Sequence, residues 1–174
     1  WPERFRLYQE SKSQLSHIRN RGMNGQPIPS TQQKQKPFCW GHSSTSANLT
    51  TRAKQGDPYV ELSAYGVCCM VTGFQSRGGW GAESLEWMAA HGCPSSKTWP
   101  LQSMSRSNNN EAMLADAAKH KITEWQDHEP RNKAQLVTCL LLGIPVVSDF
   151  NWWRHSVCTL DLVSLNPFKT LIWN

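Results

Sequence analysis

Two residues in this chain carry the means for nucleophilic chemistry, and they stand far apart. Cys39 lies in KPFCWGHSSTSA, directly after Pro37-Phe38 and at the head of a run of small side chains. A thiol at the start of a helix sits among backbone N–H groups that have no intrahelical partner, and these stabilise its thiolate. His155 lies in NWWRHSVCTL, early in an alternating, β-branched segment. An imidazole there can hold the thiolate as an ion pair and later protonate a leaving amine. A third polar group must accept from the other ring nitrogen and fix the tautomer. Asn174, at the end of TLIWN, follows the histidine and is the candidate for it.

These residues need elements to bring them together. Pro37 suits the first turn of a helix over residues 38–54, and Ser43, Ser44, Ser46 and Ala47 give that helix a small-sided surface. Such a helix is central and buried, and Gln55-Gly56-Asp57-Pro58 ends it. Residues 59–63 read as short and extended, residues 64–71 as an apolar helix, and residues 73–81 as a glycine-rich loop. Amphipathic helices follow over 82–91, closed by Gly92, and over 111–120, and Asn132 caps another that runs to Leu142. After Gly143 the pattern changes: IPVVSDFNWW, HSVCTLDLV and KTLIWN read as strands. Residues 1–35 are polar and basic, broken by Gly22, Gly25, Pro27 and Pro29, and without a period. They read as an extended arm over the domain. Helices first and an antiparallel sheet afterwards make an α+β layout.

Composition narrows the function. At 174 residues the chain makes one domain or two small lobes, and 39% hydrophobic residues with nine tryptophans supply an aromatic core. The net charge of +5 is scattered, without a recurring stripe of basic and aromatic side chains, so no nucleic acid is expected as partner. No window has the apolar length of a membrane span. None of the six cysteines forms a CxxC pair, so no metal is expected either. Cys68 and Cys69 cannot readily bond to each other, and Cys139 and Cys158 lie in apolar runs. A reduced protein follows. No signal peptide is visible, although a chain that starts on Trp1 leaves room for a missing N-terminal piece. His42, three residues after Cys39, reads as structural, and His17, His91, His120 and His128 as surface residues. Arg154 directly precedes His155, so strand alternation should lean it away from the thiolate while it still borders the cleft.

Taken in order, KPFCWGHSSTSA, FQSRGGWGAESLEWMAAHG, NWWRHSVCTLDLV and LIWN resemble the cysteine-tryptophan, glycine-glycine, histidine and asparagine segments of the papain-like (C1) cysteine peptidases. The matches cover about half the chain, from residue 33 to the end. The FNWW before the histidine resembles compact bacterial and phage members. The resemblance implies a two-lobed fold over residues 36–174 behind the arm at 1–35, with a helical lobe over about 36–125 and a β lobe over about 126–174. It implies an oxyanion hole made by the Gln33 side chain and the Cys39 N–H, with Gln32 and Gln35 as close rivals. It implies that Gly78 and Gly79 let a substrate backbone lie flat like an added strand, and that Trp40 packs behind the nucleophile at the substrate site.

The departures point the same way as the cysteine usage. Lys36 replaces a half-cystine of the family, Cys69 finds no partner near residues 101–110, and the long inhibitory propeptide is not recognisable in residues 1–35. The expected Ser-Trp after Asn174 would lie beyond the end of the sequence. The resemblance implies a thiol peptidase with a polypeptide substrate and no cofactor, in a reduced cytoplasmic or virion-associated setting, with a larger viral or bacterial assembly as a possible partner. The alternative is a papain-fold structural or binding protein in which catalysis is weak or lost. Retention of Gln33, Cys39, His155 and Asn174 together favours the enzyme.

Overall fold

The computed structural model describes residues 1–11, 13–21 and 27–173, with side chains left out at 19–21. The polar head of the chain is not extended. It folds into α1 (Pro2–Glu10) and α2 (Leu15–Arg21). Pro2 opens α1, and Arg6 bridges Glu3 at 2.6 Å and Glu10 at 2.7 Å along its exposed face. Helices this short are marginal alone, and a buried carboxylate far along the chain docks them. Asp161, 4% exposed, accepts the Tyr8 hydroxyl at 2.6 Å and the N–H groups of Leu15 at 2.8 Å and Ser16 at 3.1 Å. It therefore caps α2 while Leu15 enters the core.

The helix expected over 38–54 is α3 (Cys39–Gln55), ended by Gly56 in the left-handed region at φ 83°. Every residue from Trp40 to Thr50 except His42 is buried. Small side chains make that burial possible, because a Cβ on Gly41 would land on the Sγ of Cys68. Cys68 belongs to α4 (Ala64–Thr72), which therefore packs directly on the backbone of α3. The buried hydroxyls are paired: Ser43 and Ser44 both donate to the Trp40 carbonyl at 2.9 Å, and Thr50 donates to that of Ser46 at 2.8 Å.

Beyond α4 come α5 (Gly81–Ala90), α6 (Glu111–Ala117) and α7 (Lys133–Leu141). Asn110 and Asn132 cap the last two, each accepting an N–H at 3.0 Å, from Met113 and Gln135. Three antiparallel strands, β1 (Val146–Phe150), β2 (His155–Leu165) and β3 (Phe168–Trp173), form one sheet in sequence order. In β2 every residue from Ser156 to Leu162 is buried. Leu15, Ala47, Cys158 and Leu160 form the apolar cluster where α2, α3 and β2 meet. Phe38, Trp40, Tyr65, Cys68, Trp99 and Met113 fill the other side of α3. The central helix is thus sheathed by helices on one side and by the sheet on the other. Among the described residues, no helix is long and apolar enough to cross a membrane.

The Asp161 carboxylate leaves a measurable signature. Asp161→Ala strands three buried donors and is expected to cost about 2–4 kcal/mol in urea unfolding. It should also open α1 and α2 to limited proteolysis before the rest of the described chain, and equal protection of these helices in both proteins would count against the docking role.

Candidate active site

Phe38 precedes α3 without any side-chain cap, so no side chain takes up the Cys39 N–H beside the partly buried thiol, while the Gly41 N–H bonds the Phe38 carbonyl at 3.1 Å. His155 is the first residue of β2, pairs across the sheet with Phe150, and lies against the Trp153 ring at a centroid distance of 4.8 Å. One hydrogen bond ties these two positions together. Ser43 Oγ, one turn beyond Cys39, meets Ser156 Oγ, one residue beyond His155, at 2.6 Å in the buried interior.

A cleft of about 650 Å³ opens above this junction, with Gln33, Cys39, Gly78, Gly79 and His155 in its lining. A second hollow of about 380 Å³ shares Gln33, Cys39 and His155 and adds Thr31 and His42. Of the three candidate glutamines, Gln33 alone borders both, whereas Gln35 borders only the first and Gln32 only the second. Asn174 lies outside the described residues.

The glutamine segment is clamped by side chains that sequence reasoning missed. Tyr65 donates its hydroxyl to the Gln33 carbonyl at 2.7 Å. Thr31 Oγ1 and His42 Nδ1 are 2.7 Å apart, and the His42 ring meets Tyr65 edge-on at 5.8 Å. Spacing to Cys39 singles out His42. Nothing local singles out Tyr65 or Thr31, because both act across long loops.

On the facing wall, Gly79 lies over the Trp40 indole, where an added Cβ would sit 2.7 Å from Cε2. Trp40 itself is fully buried and donates Nε1–H to the Pro37 carbonyl at 3.0 Å. It therefore supports the glycine from beneath while still bordering the cleft. Around Gly78 an added Cβ would meet nothing within 4 Å. Asp149, also unforeseen, accepts the Gly81 N–H at 2.9 Å and joins β1 to the start of α5.

Two expectations need correction. Arg154 is not a strand residue turned away from His155. It closes the 151–154 turn in the left-handed region, at φ 51°, and lines the same cleft as His155. Strand alternation does not apply where the backbone reverses its twist. His120 is not on the surface either. It is buried, with Nδ1 3.0 Å from the Cys93 carbonyl.

Burial sets the electrostatics around the nucleophile. It pushes the Cys68 thiol well up, Cys69 to about 11 and Cys93 to about 12, and it raises Cys139. The same desolvation pulls His42 down to about 4 and leaves it neutral near pH 7. Among the described residues, no group of three or more His, Cys, Asp or Glu side chains is placed to hold a metal ion.

Two outcomes test this site as a structure. Gly79→Ala drives a methyl into the rigid Trp40 ring and should cost about 1–3 kcal/mol in chemical unfolding, whereas Gly78→Ala should leave stability unchanged. Equal costs would place the close approach elsewhere. For His42, the unfolded imidazole takes a proton near its ordinary 6.5 and the native one only near 4. Stability contributed above pH 6.5 is therefore lost as pH falls toward 4, by on the order of 3 kcal/mol. His42→Gln keeps a partner for Thr31 and removes that titration, so the urea midpoint of the variant should fall less steeply with acid than that of the wild type.

No family model matches the sequence, and no curated protein matches it. Solved structures do. Xylellain, a cysteine protease from Xylella fastidiosa, superposes with a TM-score of 0.63 at 15% identity, over 77% of this chain and 66% of its own. The digestive procathepsin L 3 of the Tenebrio molitor larval midgut superposes with a TM-score of 0.66 at 15% identity, over 96% of this chain and 68% of its own. The chain spans about two thirds of the length of each. With a buried central helix beginning at Cys39 and an antiparallel sheet beginning its middle strand at His155, this chain has the papain-like cysteine-protease fold.

Proposed function

We propose that the chain is a cysteine-type peptidase that hydrolyses peptide bonds through a Cys39 thiolate and a His155 imidazolium. The observation that carries this reading is the sharing of one cleft by an uncapped helix start bearing a thiol, a strand start bearing an imidazole, and Gln33. The thiolate attacks the carbonyl carbon, and the electron pair of the C=O bond moves to oxygen. The Gln33 side-chain amide and the Cys39 N–H donate to that oxyanion, which exists only in and around the transition state. As the tetrahedral adduct collapses, the C–N bond breaks and His155 protonates the departing amine. An acyl-enzyme remains. Water then gives a proton to His155 as it attacks the thioester, and expulsion of the thiolate restores the ion pair. Asn174 takes the role of orienting the imidazole.

The backbone at Gly78 suits a polypeptide, because an extended chain can exchange N–H and C=O groups with it as an added strand. The competing thiols are poor nucleophiles near neutrality, since burial keeps Cys68, Cys69 and Cys93 protonated.

A peptidyl epoxide directed at thiols, with the adduct located by mass spectrometry, tests the assignment. One adduct per chain is expected, on Cys39, formed faster than on any other cysteine under competitive alkylation. Cys39→Ser is expected to lower peptide hydrolysis by roughly four orders of magnitude while the circular dichroism spectrum stays unchanged. Faster labelling of Cys93 or Cys139, or an unmodified Cys39, would sink the reading and leave a papain-fold binding module in its place.

A further inference from the structure

We propose that the cleft selects acidic polypeptide segments, read by a rim of Lys34, Lys36 and Arg154 together with the exposed tryptophans of the β1–β2 hairpin. This rests on the peptidase reading for the site at which the chain lies, and goes beyond it in naming what is bound.

Charge is the first argument. Four cations border the cleft (Lys34, Lys36, Arg77 and Arg154) against two carboxylates, Glu83 and Asp149. Both carboxylates are already engaged. Glu83 accepts the Trp80 N–H at 2.8 Å and lies 3.5 Å from Arg77, and Asp149 accepts the Gly81 N–H at 2.9 Å. Arg77 is held in turn by the Gly78 carbonyl at 2.9 Å. Among the described residues, Lys34, Lys36 and Arg154 form no ion pair. The start of α3 adds its own positive end to the same space. A cleft with a surplus of one sign concentrates ligands of the other.

The second argument is the hairpin. Phe150 and Trp153 lie 6.2 Å apart, Trp152 and Trp153 stack at 6.1 Å, and Trp153 abuts His155. Trp152 is 83% exposed and Trp153 44%, while Trp80 on the opposite wall is 56% exposed. Trp80 lines one wall of the cleft and Phe150 the other. Trp152 and Trp153 pack on Phe150 and extend its aromatic surface beyond the lining, which marks a recognition site. The turn that presents it ends on Arg154 in the left-handed region, and this cation lines the cleft beside His155. Single-stranded nucleic acid would also meet cations and aromatic faces. A polypeptide fits better, because the space beside Gly78 is open to an extended chain whose N–H groups can pair along it, and a phosphodiester has no N–H to give.

The test uses the full chain carrying Cys39→Ala, so that nothing is hydrolysed, and fluorescence anisotropy. The probes are equal-length labelled peptides with one aromatic core flanked by Glu, Gln or Lys, and oligo(dT). At about 50 mM salt the Glu peptide should bind about 10-fold or more tightly than the Gln peptide, and the gap should shrink below about 3-fold at 0.5 M. Added Lys34→Glu and Arg154→Glu should reverse the order in favour of the Lys peptide. If that pair does not fold, Lys34→Gln with Arg154→Gln should abolish the preference. Equal binding of Glu and Gln peptides, preference for the Lys peptide, or tighter binding of oligo(dT) would each overturn the proposal. The two readings fail separately. Wild-type cleavage that ignores peptide charge defeats this one and keeps the peptidase, whereas selective binding without cleavage or Cys39 labelling does the opposite.

Discussion

The hydrogen bond between Ser43 and Ser156 is the constraint on which the site depends. It joins the second turn of α3 to the second residue of β2, deep in the interior, at 2.6 Å. Helix and strand could otherwise slide past each other by a residue, since apolar packing alone is weakly directional. A buried hydroxyl pair resists such a slip, because the Ser156 hydroxyl would be desolvated without Ser43, which keeps only its bond to the Trp40 carbonyl. Cys39 precedes one serine by four residues and His155 precedes the other by one, so fixing the serines fixes these two positions relative to each other. Ser84 extends the same logic to α5, donating to Ser44 at 2.5 Å and to the Gly81 carbonyl at 2.8 Å. The serines of the central helix, which look like filler in the sequence, act as its register marks.

Around this lock the chain separates one thiol from the others by burial. Cys68 and Cys93 sit in fully buried positions and Cys69 in the same apolar cluster as Trp99, so desolvation holds them neutral. Cys39 sits at a helix start that borders two hollows. His42, on the same helix, is kept neutral by the same desolvation and serves as an uncharged anchor for Thr31. A cation that close would compete with His155 for the thiolate. Desolvation thus keeps the other thiols and this imidazole uncharged together.

Much of this was legible locally. Pro37, the small run after Cys39 and the Gly56 stop gave α3 to within a residue, because each signal acts within one turn. Asn132 announced its helix for the same reason. The arm was not legible. Residues 2–21 have no clean period, and what orders them is Asp161, a partner more than 140 positions away that a sequence window does not reach. The Thr31–His42 and Tyr65–Gln33 bonds are hidden in the same way. Arg154 misled for a different reason: a left-handed residue is announced by Gly or Asn, and here an arginine takes that conformation. Trp40, expected to pack behind Cys39, is fully buried and borders the cleft beneath Gly79.

The two walls of the cleft divide the work between backbone and side chains. Gly78 and Gly79 offer main chain, which can pair with any extended polypeptide and so distinguishes little. The opposite wall is a hairpin whose turn, residues 151–154, is bounded by the Phe150–His155 pair. Beyond that pair the sheet makes no demand on the turn, because Ser156 and the strand behind it are anchored to α3 independently. Length and side chains in the turn can therefore change while His155 stays in register with Cys39. Chemistry is fixed where the chain is buried and paired, and recognition is carried where it is exposed and free of the ladder. Trp152 and Arg154 sit on the exposed side of that boundary, while Trp153 reaches back to the His155 ring.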